Sequence, residues 1–367
     1  MALQVGIVGL PNVGKSTLFN ALTSAKAEAA NYPFCTIDPN VGVVTVPDDR
    51  LDKITEFVKP QKTIPTVMEF VDIAGLVAGA HKGEGLGNQF LQNIRETNAI
   101  IHVVRCFTDP NVVHVSGSVD PIRDIQVIQT ELILSDMDSV DKKIKKLEKA
   151  VRTTTDVDMK TEFALLKKVA EALDQGKAAS TVEITEAELP FSKLLHLLTF
   201  KPVLYVCNVN EDDYSRAEDS DYVKKVKELA KTEGNNVISI CSSIEAEIAQ
   251  LPIEERAEFL QSLGVKEPGL NRLIREAYSL LNLITYFTAG EKEVRAWTID
   301  RGTKAPGAAG VIHSDFERGF IRAETYHCDD LFKYHSEAAV KEAGKFKSEG
   351  KEYVVRDGDI MLFRFNV

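Results

Sequence analysis

The chain is short of positive charge. Its 367 residues hold 44 Lys and Arg against 55 Asp and Glu, a formal net charge of −11. That excludes a surface coated in basic side chains, so DNA is not expected as a partner, although one local basic patch is still compatible. The chain also lacks any apolar run near ~20 residues, so no membrane-spanning helix and no membrane partner are expected. It lacks CxxC pairs. Its five cysteines are Cys35, Cys106, Cys207, Cys241 and Cys328. An odd number, several of them in apolar runs, argues against a disulfide framework or zinc site and for core thiols in a reducing compartment. MALQVGIVGL has no basic stretch ahead of its apolar residues, so no signal peptide is expected and the implied location is cytoplasmic. There is no internal repeat and no low-complexity tract.

What is present is an ordinary globular composition, 44% hydrophobic and 27% charged, with length for two or three domains. Apolar runs at Val5–Leu10, Val67–Ile73, Ile100–Phe107, Pro202–Asn208 and Val237–Cys241 are rich in Val and Ile and do not alternate. They read as parallel strands covered on both faces, with helical stretches between them. The class expected is α/β, a doubly wound P-loop NTPase sheet, with GVVTV at 42–46 as an extra edge strand. Near residue 130 the pattern changes. Ile133, Met137, Val140, Ile144, Leu147 and Val151 form a heptad seam, and Phe163, Leu166, Val169 and Leu173 follow at helical spacing. A coiled-coil-like antiparallel hairpin is expected at 131–199, interrupting a nucleotide-binding domain at 1–130 and 200–278. Residues 279–367 read as a small α+β domain, with strands at EVRAWTI, GFIRAETY and DGDIMLFRFNV and the turn-rich GTKAPGAAG between the first two.

The chemistry begins at GLPNVGKST. Gly9, Gly14, Lys15 and Ser16 match G-x-x-x-x-G-K-[ST] between a strand and a helix. In such a loop backbone N–H groups and the helix N-terminus cradle phosphates, Lys15 reaches the β- and γ-phosphates, and the Ser16 hydroxyl binds Mg²⁺. Asp72-Ile73-Ala74-Gly75 ends a later strand. Asp72 can hold Mg²⁺ through water, and the Gly75 N–H can face the γ-phosphate, a catalytic role. Thr36, in the Pro-bounded loop NYPFCTIDPN, is a candidate to close onto Mg²⁺. Glu84, Gly85 and Gly87 make a glycine-rich switch loop.

Two departures sharpen this GTPase-like set. Where the guanine-reading Asn-Lys-x-Asp belongs, the chain has Asn208-Val209-Asn210-Glu211. The longer Glu211 displaces a bidentate grip on guanine, while an amide such as Asn208 can pair with an adenine N6/N7 edge. Where a water-orienting Gln is common, the chain has Leu76, which cannot hydrogen-bond water. His114, in a polar loop past a strand end, is the candidate that orients the attacking water. His81 competes with it, and His102, inside IIHVVR, reads as a packed core histidine.

GLPNVGKST, NYPFCT, FVDIAGLVAGAHKGEGLGNQFL, IRETNAIIHVVRCF and CNVNE together resemble the YchF-type Obg-like ATPase family, a branch of the translation-factor-related P-loop GTPases. The resemblance covers almost the whole chain. It implies that Asn12, Val13, Gly14, Lys15, Ser16 and Thr17 line the phosphates. It implies that Ser16 and Thr36 ligate Mg²⁺, that Asp72 and Gly75 form the second switch, and that Val209 and its neighbours contact an adenine base. It further implies slow ATP hydrolysis, association with ribosomes in translation or stress control, and a C-terminal TGS domain of β-grasp type. Asn12 matches a K⁺-binding asparagine, which makes K⁺ a candidate second cation. Lys142, Lys143, Lys145, Lys146 and Lys149 on the hairpin are a candidate rRNA contact, and Asp136, Asp138 and Asp141 beside them favour a plain solvated face instead. Two other readings stay open: a conventional GTP-hydrolysing switch, and an ATP-regulated protein-binding module with incidental hydrolysis.

Overall fold

A computed structural model describes residues 3–24, 40–73 and 86–366. The chain divides into two compact units, Met1–Val44 with Glu69–Leu273, and Thr45–Met68 with Ile274–Val367. The second unit therefore takes residues 45–68 out of the stretch that the sequence assigns to the first domain.

The first unit is built on β1 (Gln4–Val8), β2 (Val41–Thr45), β4 (Val67–Asp72), β5 (Ala99–Arg105), β6 (Val203–Asn208) and β7 (Asn236–Ile240), β3 lying elsewhere. The sheet order is β2-β4-β1-β5-β6-β7. All pairings from β4 through β7 are parallel. Every residue of β5 is buried, as expected for a central strand with helices on both faces. Parallel strands put all their C-terminal ends on one side, and the loops that follow them build the site there.

The helix Pro121–Val151 starts with Asp120 accepting hydrogen bonds from the N–H groups of Ile122 and Arg123, and with Pro121 in its first turn. It crosses residue 131 without a break, so the hairpin is an extension of a sheet-packed helix and no separate compact unit begins there. It pairs with the helix Val157–Asp174. Ile133 and Val140 pack with Leu165, Leu166, Val169 and Leu173, with Met137, Ile144 and Leu147 at the margin. Leu165 takes the core place expected of Phe163, which is half-buried beneath Lys167.

In the second unit the sheet order is β11-β10-β12-β8-β9-β3, from β3 (Lys62–Ile64), β8 (Leu283–Ala289), β9 (Glu293–Asp300), β10 (Phe320–His327), β11 (Lys347–Glu349) and β12 (Asp359–Phe365). β12 pairs parallel to β8, while β8 with β9 and β10 with β12 are antiparallel. The expected turn at GTKAPGAAG holds only to Lys304. Ala305–Ile312 is a helix, because Pro306 starts it and Ala305, Ala308 and Ala309 are small enough to be wholly buried.

Candidate functional site

The phosphate loop is shaped by two glycines. Gly14 has φ +92, and a Cβ there would lie 2.1 Å from Asn208 Nδ2. A Cβ on Gly9 would lie 2.8 Å from the Val103 carbonyl oxygen. The loop thus needs glycine once for its turn and its close neighbour, and once for packing on β5. Asn12 is also left-handed at φ 62. The helix Lys15–Ser24 begins where the loop ends, with Leu18 N–H bonding Gly14 O at 2.9 Å, so its N-terminal dipole points into the loop. Val13 is buried, which leaves its backbone for ligand contact, while Ser16 and Thr17 are exposed.

Lys15, itself 8% exposed, makes an ion pair with Asp72. The register of β1 on β4 sets Ile7 opposite Asp72, which brings the two motifs to one spot. The donor set there suits Mg²⁺. Ser16 offers a hydroxyl oxygen and Asp72 a carboxylate, both hard ligands, and a bound cation would add Lewis-acid neutralisation of phosphate charge. Thr36, Gly75, Leu76, His81, Glu84, Gly85 and Cys35 lie outside the described residues. Gly87 is inside the helix Leu86–Glu96 and not in a loop.

A cavity of about 640 Å³ continues from the phosphate loop to the expected base-reading motif. Asn12, Gly14 and Thr17 line it on one side and Asn208, Val209, Asn210 and Glu211 on the other, with Ser242 and Ser243. So the structure brings those sequence-predicted residues together. It also gives Asn208 a task that the sequence did not show. That side chain is 4% exposed; its Nδ2 donates to Val13 O at 2.9 Å and its Oδ1 accepts from Ser242 N–H at 2.9 Å. The amide joins the phosphate loop to the last loop, which uses one of its two N–H groups and one of its two acceptor sites. Val209 likewise turns its side chain into the core, and its N–H bonds Ile240 O. Glu211 is exposed at the rim.

The third wall, Phe107 to Val112, was not legible as a site. It is held by Arg105, which is 1% exposed. Its guanidinium donates to Phe107 O at 3.2 Å, to Val112 O at 3.1 Å from both terminal nitrogens, and to Asp109 O at 3.4 Å, and it sits 4.6 Å from the Phe107 ring centroid. A buried cation satisfied by loop carbonyls is a strong organiser, because its rigid fork fixes several acceptors at once. Asn210 Nδ2 reaches Thr108 O at 3.4 Å, linking this wall to the motif.

His114 does not stand ready to orient water. Its side chain is 5% exposed; Nδ1 accepts from Ser116 N–H at 3.1 Å, and Nε2 lies 2.8 Å from Asp124 Oδ2. With Nδ1 accepting, Nε2 carries the proton and donates it to the carboxylate, so both ring nitrogens are engaged. The neighbouring Val113 O accepts from Asn12 Nδ2 at 3.1 Å, which places the segment against the phosphate loop. His102 is buried in β5, as expected. Cys106, Cys207, Cys241 and Cys328 are free and buried.

Two family models match. One, described as a 50S ribosome-binding GTPase, covers residues 4–168. The other, a YchF GTPase C-terminal model described as a protein of unknown function (DUF933), covers 283–366. A protein of Bacillus subtilis called ribosome-binding ATPase YchF is 59% identical over the full length of both chains. One of the same name from Escherichia coli O157:H7 is 57% identical, again over both full lengths. The chain belongs to the YchF family. The solved structure of the Schizosaccharomyces pombe YchF GTPase superposes with a TM-score of 0.88 at 42% identity, covering 99% of this chain and 97% of that one. A YchF chain thus carries the phosphate loop, the Lys15–Asp72 pair and the strand-end Asn208 to Glu211 at the C-terminal ends of the strands of its first sheet. Among the described residues no helix is long and apolar enough to cross a membrane.

Proposed function

We propose that this chain is a ribosome-associated, Mg²⁺-dependent ATPase that hydrolyses ATP slowly and acts as a nucleotide-controlled switch. The observation that carries the reading is one continuous cavity running from Asn12 and Gly14 to Glu211, with Lys15, next in the chain after Gly14, paired to Asp72. The names of the full-length relatives, ribosome-binding ATPase, support both the activity and the partner.

Preference for ATP over GTP rests on Glu211 standing where a guanine-reading Asp belongs. It does not rest on Asn208, whose amide also joins the phosphate loop to the last loop. Ser16 and Asp72 would hold Mg²⁺, together with Thr36. Asn12 Oδ1 has no partner among the described residues and is an oxygen ligand suited to K⁺. Gly75 N–H is assigned to the γ-phosphate. His114 is assigned to the attacking water, a role it reaches only when its ring leaves Asp124. Unchanged turnover in His114→Ala would remove it from that role.

Calorimetry with Mg²⁺-ATP and Mg²⁺-GTP side by side, in K⁺ buffer, tests the reading. Tighter ATP binding is expected. Tighter GTP binding would make the chain a conventional GTPase switch, the reading that the name of the S. pombe relative, YchF GTPase, favours. For the partner, co-sedimentation with ribosomes that weakens as salt rises is expected from lysine–phosphate contacts. No co-sedimentation at low salt would leave an ATP-regulated protein binder.

A further inference from the structure

A second cavity, of about 710 Å³, lies at the other end of the first unit's sheet, where β5 and β6 begin. Its walls come from those strand starts, the long helix, the segment 176–181 and the end of the helix Asp221–Glu233. Much of the lining is apolar, including Ile128, Leu132 and Phe200. Most of its polar groups already have partners. Tyr205 donates to Glu233 at 2.7 Å and accepts from Gln129 at 2.9 Å, and Lys201 donates to the carbonyls of Arg95 and Thr97.

His102 is different. It lines the cavity, is 4% exposed, and neither ring nitrogen has a hydrogen-bond partner among the described residues. The Tyr205 ring lies 5.5 Å away, centroid to centroid. Burial lowers its pKa to about 3, so the ring is neutral and offers one N–H and one bare nitrogen. The ring is buried as a whole, but its nitrogens are not among the fully enclosed polar atoms that lack a partner, so they reach the cavity space, where a ligand group can supply the bond.

We propose that this cavity is a binding site for a small, neutral aromatic molecule carrying an N–H or O–H group that hydrogen-bonds His102. Aromatic shape follows from the rings of His102, Tyr205 and Phe200 in the wall. A neutral ligand suits His102, whose uncharged ring offers a hydrogen bond and no ion pair, and an anion is disfavoured because Glu233 lines the same cavity while Lys201 is spent on the carbonyls of Arg95 and Thr97. Nothing in this site overlaps the phosphate loop, so it is a different site from the nucleotide cavity.

Indole is the probe, followed by saturation-transfer NMR on the full chain. Saturable binding is expected with a Kd of about 1 mM or tighter, a plausible efficiency for so small a ring. His102→Phe keeps a ring in place and removes its hydrogen-bonding atoms, so it should weaken indole about three- to tenfold. Ala178→Trp, at the half-buried rim, should abolish binding by filling the space. Benzoate, the anionic control, should bind at least about tenfold more weakly than indole. Cooperative thermal unfolding checks that each variant is folded. Absence of saturable indole binding to the unaltered chain overturns the proposal whatever the variants do. So does equal binding by a folded Ala178→Trp or His102→Phe chain.

Discussion

Asn208 shows how one residue can keep its importance and take on a second task. As a strand-end amide it has the atoms to read adenine, and the fold also uses each of them once, on Val13 O and Ser242 N–H. Its effect on nucleotide is through the loops it joins. Asn208→Ala leaves a buried carbonyl and a buried N–H without partners, a cost of about 2–4 kcal/mol. Because the brace has no base preference, ATP and GTP affinity should fall together. Loss of ATP affinity alone, read by calorimetry, would return the residue to base reading. The same distinction applies to His114. Its loop position was legible in the sequence, but the contacts that occupy its ring, from Ser116 in its own turn and from Asp124 on the helix that follows, depend on how the loop folds back onto that helix.

At the scale of elements, the wall from Phe107 to Val112 depends on one buried guanidinium. Arg105→Met keeps most of the side-chain volume and withdraws every hydrogen bond to Phe107, Asp109 and Val112. The expected cost is about 2–4 kcal/mol, since each lost bond involves a charged donor. Thermal unfolding should shift down and ATP should bind more weakly, while pyrophosphate, which needs only the phosphate loop, binds as before. Equal losses for ATP and pyrophosphate would place the damage in the loop itself.

The hairpin has its own pH dependence. Lys168, at 2.7 Å, and the Thr185 N–H and hydroxyl hold Glu188 down to about 2. A depressed carboxylate contributes stability that is fully present above its unfolded value of 4.5 and is lost as pH falls through about 2. Glu188→Gln should therefore be less stable than the parent at neutral pH. The gap between them should close between about pH 4.5 and 2. A gap that stays constant across that window, in denaturant titrations, would show that the ion pair is not its source.

For the whole molecule, the second unit is not a contiguous C-terminal piece. Leu51 and Ile54, from the helix Asp49–Val58, are buried with Phe287, Val294 and Ile360, and β3 closes the sheet against β9. A fragment spanning 274–367 alone loses that edge strand and exposes that core, so it should not unfold cooperatively. Supplying 45–68 through a linker should restore a cooperative transition in calorimetry. A sharp transition for 274–367 by itself would mean that the N-terminal segment only decorates a finished core.

What the residues determined unaided is what depends on neighbours along the chain. Nine of the strand positions, the phosphate loop and the hairpin seam were all readable, because apolar periodicity and glycine turns are local physics. The motif at 208–211 was also placed correctly, since a strand end after PVLYVC is a local signal. What needed tertiary structure is what depends on distant neighbours. Arg105 looks like an ordinary strand-end charge until the loop carbonyls fold over it. Phe163 stands three residues before Leu166 and Leu165 four before Val169, so each has helical spacing to the seam until the partner helix settles which one is buried. The helix Ala305–Ile312 hides in a glycine- and proline-rich string because its stability comes from burying small alanines against a sheet. Residues 45–68 carry no mark of the sheet they join, because strand pairing across more than two hundred residues is decided by which cores can close, not by local propensity.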